Sequence, residues 1–485
     1  MNAPIRRLAV VVAAMFAALL ISTTYIQFFQ ADTLREMAGN RRTLLDQYGR
    51  DRGAILVDGT PIAESEPTDD DLRWIRTYSQ GQLYAHVTGY YSFTYGAGLG
   101  LERSENALLS GSADSLFYRR LPDLVTGREP TGATLEITID PRVQRAAAQA
   151  LGDRRGAVVA LDPRTGAILA MVSHPTYDPN TLSSHNLSAV QQSYETLNED
   201  ASRPLVNRAI AGDLYPPGSV FKLVVAAAAL ESNEFNPDSE LPSPLRYTLP
   251  GTSTSIPNFG GSSCSGGETT SLFDSVRVSC NTSFAWLAGE LGADQLNAQA
   301  EAFGFGQPLQ VPLPVTPSRY PVDADDAQVG LTGIGQYDVR VTPLQVAMIS
   351  ASIANDGVLM QPHLVDTVRD KDLDPIDTTS AQELSTPISA TTAQELTDMM
   401  IAVVDAGSGG AAALPGIQVA GKTGTAEFGT TGAAHAWFTG FAPADNPTIA
   451  VAVLVESATA DWTGETGGVV AAPIARAVLE AGVNP

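Results

Sequence analysis

The hydrophobic pattern divides the chain into three stretches. Residues Leu8 to Phe29 carry no charge, and as a helix they would span roughly 33 Å, enough for the hydrocarbon core of a bilayer. Arg6 and Arg7 precede this run, which predicts a cytoplasmic N-terminus with the remaining chain outside. The alternative is a cleaved signal peptide with its apolar core over Leu8–Ile21, but no clear small-x-small cleavage site follows. Residues 31–52 are polar with scattered Arg and Asp, and predict a helical stalk. Residues 53–64 read GAILVDGTPIAE, two short β-rich runs about Asp58-Gly59, which is a hairpin signal. Over residues 65–130 short apolar runs mix with Gly, Tyr and Asp, with no period that orders them into a sheet.

The character changes near Pro130. TLEITI over 134–139 predicts a strand, and Pro141 to Leu151 an amphipathic helix opening behind Asp140. Two apolar strands follow in GAVVALDPRTGAILAMVSH, starting at Gly156 and joined by the turn Asp162-Pro163-Arg164-Thr165-Gly166. Ser219 to Leu230 is an almost wholly apolar helix announced by Pro216-Pro217-Gly218, and helical periodicity returns at Leu344–Asn355 and Thr391–Val404. Strands are expected at Gly416–Thr425, His435–Pro443 and Thr448–Glu456, closed by a helix from Gly468 to Ala481. Strands at both ends of a long helical insert imply a mixed α/β (α+β) fold whose sheet is completed by distant segments. The expected organisation is a cytoplasmic tip and membrane anchor over 1–30, a small irregular β-rich module over 31–130, and a catalytic domain over 131–485.

Charge and cysteines narrow the function. A net charge of −24 argues against nucleic acid or an anionic lipid surface as the main partner, since both would be repelled. The only cysteines, Cys264 and Cys280, fall in the exported region, where a disulfide can persist. The bridge is expected; a buried free Cys280 is the alternative. No His/Cys/Asp/Glu cluster has metal-ligand spacing and no Gly-rich phosphate loop occurs, so neither metal nor other cofactor is expected.

Lysine is scarce: Lys222, Lys371 and Lys422 are the only ones. Two of them sit in short motifs that follow in order, Ser219-Val-Phe-Lys222, Ser279-Cys-Asn281 and Lys422-Thr-Gly424. Each is weak alone. Together they form a signature of serine acyl-transfer enzymes that act on β-lactams. Ser219 lies in the first turn of its helix with Lys222 one turn later on the same face. A hydroxyl is a poor nucleophile until a base takes its proton, and Lys222 can be that base if burial and a second cation, Lys422, lower its pKa. Ser279 and Asn281 are two apart in a polar loop and face one cleft, unless they are ordinary turn residues. Lys422-Thr423-Gly424-Thr425 lies on a strand which, if it is an edge, can pair with an extended peptide, Gly424 allowing close approach. Two further residues stay open: His435 is more simply a structural strand-end histidine than a cleft residue, and Glu427 either positions the loop or is solvent-exposed.

The stretch from about residue 130 to 481 resembles the transpeptidase domain of class B penicillin-binding proteins. Beyond the three motifs, the resemblance rests on GAVVALDPRTGAILAMVSHPTYDPN from Gly156, Asn207-Arg208-Ala209 ahead of LYPPGS ending at Ser219, Gly333-Ile-Gly-Gln336 with Thr342-Pro-Leu-Gln345, and AWFTGFAP over 436–443. The N-terminal part fits more loosely, through Arg52-Gly53-Ala54-Ile55 and the anchor. The resemblance implies a central sheet flanked by helices and a helical subdomain. It implies that Ser219 is acylated, that Lys222 is the base, and that Ser279 with Asn281 form the second catalytic element. Lys422, Thr423 and Thr425 would bind the substrate or β-lactam carboxylate, Gly424 belongs to the same substrate-binding strand, and the N–H groups of Ser219 and Thr425 would form the oxyanion hole. The implied substrate is a peptidoglycan stem peptide ending in D-alanyl-D-alanine, the implied inhibitors are β-lactams, and the implied protein partners are a polytopic glycan polymerase and division proteins. The same residues with water as acceptor would give a carboxypeptidase or endopeptidase. A β-lactamase fits less well, because Glu195-Thr-Leu-Asn198 precedes the nucleophile at the wrong spacing for a deacylating glutamate. A purely scaffolding role is opposed by the intact motifs.

Overall fold

The structure is a computed structural model that describes residues 2–30, 48–70, 72–116, 131–264, 266–428, 433–456 and 466–484. The expected stalk over 31–52 lies largely outside the described residues.

The N-terminal apolar run forms helix α1 (Asn2–Phe28), long and apolar enough to cross a membrane, with its described side chains exposed throughout. The next elements are β1 (Ile55–Val57), β2 (Thr60–Pro67) and β3 (Trp74–Thr77). Asp58 and Gly59 join β1 to β2 with φ of 48° and 68°, the left-handed pair that a two-residue type I′ hairpin requires. Further along come β4 (Thr134–Ile137), helix α2 (Pro141–Leu151), β5 (Gly156–Leu161) and β6 (Ile168–His174). The Asp140 carboxylate caps α2 by accepting from the Arg142 and Val143 N–H groups, and Pro141 occupies the first turn, as the sequence pattern predicts. Helices α3 (Lys222–Glu231), α4 (Asn281–Ala302) and α5 (Pro343–Ala354) follow, then β7 (Val365–Arg369), β8 (Pro375–Thr378) and α6 (Ala390–Ala406). Strands β9 (Ala420–Phe428), β10 (Ala433–Ala442) and β11 (Ile449–Val455) and helix α7 (Ala472–Val483) close the chain.

Two sheets organise these elements. The first has the order β8-β7-β4-β1-β2-β3, with β1 parallel to β4 and Ile55 opposite Leu135. Strands β2 and β3 defy ordering by sequence because the sheet they belong to is finished by strands from residues 134 to 378. The second sheet is antiparallel, in the order β9-β10-β11-β5-β6. Its central strands are buried along their whole length, which explains their unbroken apolar runs. Alternation sorts them between two cores: Ala157, Val159, Leu161, Ala450, Ala452 and Leu454 face one side, and Val158, Ala160, Val451 and Val453 the other. Helix α5 covers the first face and α2 with α7 the second. Strand β9 is left as an edge.

The first sheet also houses a buried ionic cluster. Arg52 Nε reaches Glu102 Oε2 at 2.6 Å and Arg76 Nε reaches Oε1 at 2.7 Å, with all three side chains at most 3% exposed. Tyr78 donates to Glu102 Oε1 at 3.2 Å, and the Arg52 guanidinium lies 4.2 Å from the centre of the Tyr91 ring. Burial pushes the Glu102 carboxyl up, but Arg52 and Arg76 outweigh it and hold it below its ordinary range.

Candidate active site

The chain reaches Ser219 under tight control. Tyr215 exchanges two backbone hydrogen bonds with Val341, the Trp437 indole donates to the Pro216 carbonyl at 3.1 Å, and Gly218 N–H donates to Gly335 O at 3.0 Å. Gly218 has φ of 55°, and a Cβ there would meet Thr425 O at 2.7 Å; one on Gly335 would meet Gly218 O at 2.0 Å. Both positions therefore need glycine. The expected α-helix from Ser219 begins instead as a tight 3₁₀ turn over Gly218–Phe221, and α3 proper starts at Lys222. Ser219 is half-buried and opens onto a cleft of about 540 Å³.

Lys222 lies wholly buried at the head of an apolar helix. Its Nζ is 2.8 Å from Ser279 O, 2.7 Å from Asn281 Oδ1 and 3.3 Å from Ser279 Oγ. Among the described residues these bonds, rather than one to Ser219 Oγ, hold the amine in place. Lys422 Nζ approaches from β9 and donates to Ser279 Oγ at 2.8 Å and to Thr423 O at 2.9 Å. The Ser279 hydroxyl thus stands between two lysines. Burial pushes Lys222 well below the ordinary lysine value, and Lys422 beside it adds to the fall; burial alone brings Lys422 down to about 7.

The middle motif is held by backbone geometry. Ser279 has φ of 59°, a conformation that a non-glycine residue adopts at a cost of order 1–3 kcal/mol. Asn281 is not in a loop, as its polar surroundings suggest, but opens α4. Asn258, which carries no sequence signal, accepts from the Asn281 and Thr282 N–H groups at 3.0 Å each and so caps that helix. Cys264 and Cys280 form the expected disulfide, tying the Gly/Ser-rich loop to the segment that carries Ser279 and Asn281.

Strand β9 forms the cleft wall. Thr423, Gly424, Thr425 and Glu427 line it together with Ser219, Ser279 and Asn281. Ser408 Oγ lies 2.5 Å from Thr423 Oγ1, another partner with no sequence motif. Gln336, with its amide turned to satisfy both atoms, donates to Glu427 O at 3.2 Å and accepts from Glu427 N–H at 3.0 Å. In an antiparallel strand every second residue directs N–H and C=O to the same side. Gln336 meets Glu427 on the outer edge, so Thr425 presents its own N–H and C=O there, beside Ser219. His435 is buried off this wall with its ring 5.3 Å from Tyr215, and burial drives it down to about 4. Behind it the Glu456 carboxylate gathers Tyr215 Oη at 2.7 Å, Arg208 at 2.9 Å and Arg155 at 2.5 Å.

Comparison with known proteins identifies the family. Residues 156–480 match the penicillin-binding protein transpeptidase domain, and residues 52–135 match the penicillin-binding protein A dimerisation domain. The peptidoglycan D,D-transpeptidase PbpA of Mycolicibacterium smegmatis is 45% identical over 493 residues, covering 100% of this chain and 99% of the relative. PbpA of Mycobacterium tuberculosis is 44% identical over the same span and coverage. The ceftriaxone acyl-enzyme of M. tuberculosis penicillin-binding protein A superimposes with a TM-score of 0.87 at 44% identity, covering 91% of this chain and 100% of that one. The family match spans most of the chain and the relatives match it end to end, so this chain belongs to the penicillin-binding protein transpeptidase family.

Proposed function

We propose that the chain is a peptidoglycan D,D-transpeptidase that cross-links stem peptides through an acyl-enzyme on Ser219 and is covalently inhibited by β-lactams. The observation that carries this reading is the Ser279 hydroxyl bridging Lys222 and Lys422, within a cleft that also exposes Ser219. A neutral amine has two N–H bonds and one lone pair. Lys222 spends its two donors on Ser279 O and Asn281 Oδ1, which leaves the lone pair for a hydroxyl proton. Lys422 keeps the cation that a terminal carboxylate needs, with the hydroxyls of Thr423 and Thr425 beside it.

Ser219 Oγ attacks the carbonyl of the penultimate D-alanine and passes its proton to Lys222 Nζ. The N–H groups of Ser219 and Thr425 stabilise the oxyanion. As the peptide C–N bond breaks, the proton travels through the Ser279 hydroxyl to the amine of the departing D-alanine. The amine of a neighbouring stem then attacks the Ser219 ester; a new C–N bond forms, the C–O bond breaks and the proton returns to Ser219. The PbpA relatives are named for the same activity, and the structural neighbour carries a β-lactam as its acyl group.

Helix α1 anchors the chain, with Arg6 and Arg7 on the cytoplasmic side and the transpeptidase domain outside. Residues 31–130 serve as a non-catalytic pedestal for a domain over 131–485, where a glycan polymerase and division proteins would dock. The test is mass spectrometry of the detergent-solubilised chain after labelled penicillin. The expected adduct is on Ser219 and is absent from Ser219→Ala; an adduct on another residue would overturn the assignment.

A further inference from the structure

The segment Gly333-Ile334-Gly335-Gln336 takes no part in the proposed bond making, yet it touches both walls of the cleft. It is held from behind: it leaves the short helix Asp326–Thr332, and a Cβ on Gly333 would meet Phe284 O of α4 at 2.4 Å. On one side Gly335 O accepts from Gly218 N–H at 3.0 Å, next to the nucleophile. On the other, the Gln336 amide donates to Glu427 O at 3.2 Å and accepts from Glu427 N–H at 3.0 Å. Tyr337, just past the amide, has φ of 60°, a left-handed conformation that costs a non-glycine residue free energy and collects at sites needing fixed geometry.

These contacts close a ring. Thr425 O faces Gly218, where a Cβ would meet it at 2.7 Å. Gly218 is bonded to Gly335, Gln336 follows Gly335 and is bonded to Glu427, and β9 leads back from Glu427 to Thr425 two residues away. The two N–H groups that would stabilise the oxyanion lie on opposite arcs of this ring, Ser219 one residue after Gly218 and Thr425 two before Glu427. Such a site works only if both donors already aim at the point where charge develops. The Gln336 amide makes the closing link, and with two bonds to one residue it resists both a shift and a twist of the strand.

Resting on the transpeptidase reading, we propose that Gln336 is a positioning residue for acyl transfer, whose amide fixes the distance between the Ser219 and Thr425 N–H groups. It acts through the backbone of Glu427. Carboxylate capture by Lys422 and Thr423, farther along β9, does not depend on it.

Two variants test this on the full detergent-solubilised chain. Gln336→Met keeps the length and bulk of the side chain and loses both hydrogen bonds; Gln336→Glu keeps the acceptor but, ionised, has no donor for Glu427 O. Stopped-flow labelling over a range of penicillin concentrations separates the dissociation constant of the first complex from the limiting acylation rate, and penicillin titration counts the competent sites. Affinity for a boronic acid that forms a tetrahedral adduct on Ser219 reads the oxyanion hole independently. Both variants should lower the limiting rate by ~10–10²-fold, short of the ~10²–10³ that outright loss of an oxyanion donor costs. The boronic acid should weaken by a similar factor, with the dissociation constant of the first complex within about twofold of the native one. A native limiting rate in Gln336→Met, a loss carried wholly by the dissociation constant, or a slower rate with boronic acid affinity unchanged would each overturn the proposal. Should Gln336→Met yield no competent sites, the same readings on Gln336→Glu decide. Failure of penicillin to acylate Ser219 in the native chain would instead sink the transpeptidase reading beneath it.

Discussion

Two buried clusters of charge in this molecule are built on opposite rules. Around Glu102, two guanidiniums, a phenol and one carboxylate compensate one another, and the carboxyl is held below its ordinary range. Around Ser279, two lysines share a pocket without a carboxylate among their bonded partners, and both are driven down. The first arrangement keeps the guanidiniums and the carboxylate charged, with the phenol neutral as a donor, and fixes how Arg52, β3 and the Glu102 segment meet. The second makes it easier for the Lys222 amine to give up its proton and act as a base. Paired charge holds the fold together, and uncompensated like charge yields reactivity.

The contrast breaks most sharply at Lys222. Lys222→Arg keeps the cation and removes the accessible free base, so penicillin acylation should slow by ~10²–10⁴, read by stopped-flow labelling, with the melting curve still cooperative. In the native chain the lowered Lys222 value means that acylation rises with pH as the amine sheds its proton. Above about 7 Lys422 loses its own cation, and capture of a β-lactam carboxylate should weaken. A native acylation rate that stays flat from pH 5 to 9 would remove lysine from the base role.

Glu102→Gln tests the other rule. It strands two buried guanidiniums and should lower stability by about 3–5 kcal/mol, seen in denaturant unfolding, while folded protein below its transition still acylates at Ser219. A loss of acylation with stability unchanged would mean that the two clusters are not separate in role. The smallest effect is expected at the disulfide that borders the lysine pocket. Cys264→Ser with Cys280→Ser opens a loop of sequence separation 16, worth roughly 3 kcal/mol in the chain-entropy model. Acylation should slow through Ser279 and Asn281, whereas the Lys222 helix, packed in the main core, stays put. Normal kinetics in this double variant would show that Asn258 and α4 suffice to hold the segment.

What could be read from sequence follows the reach of each interaction. The Asp140-capped helix and the strands of the second sheet declare themselves through local chemistry and period, and Ser219, Lys222, Ser279, Asn281 and Lys422 through spacing. Asn258, Ser408 and Glu456 act on backbone or side chains of other segments, and an isolated polar residue carries no mark of such a partner. The 3₁₀ start at Gly218 was hidden for the same reason: it is imposed by the close approach of Gly335 and Thr425, not by the residues of the turn.

The path of the chain through the first sheet has a consequence for its biogenesis. Strands β1 and β4 are made early, but their neighbours β7 and β8 end at residue 378. At a synthesis rate of roughly 5–20 residues per second, tens of seconds separate the emergence of Ile55 from that of Thr378. From its own synthesis until β7 follows, β4 has an unpartnered flank beside apolar Leu135 and Ile137, open to mispairing with any extended segment nearby. Slowing translation between residues 140 and 365 should therefore lower the yield of folded protein more than the same delay placed after residue 378.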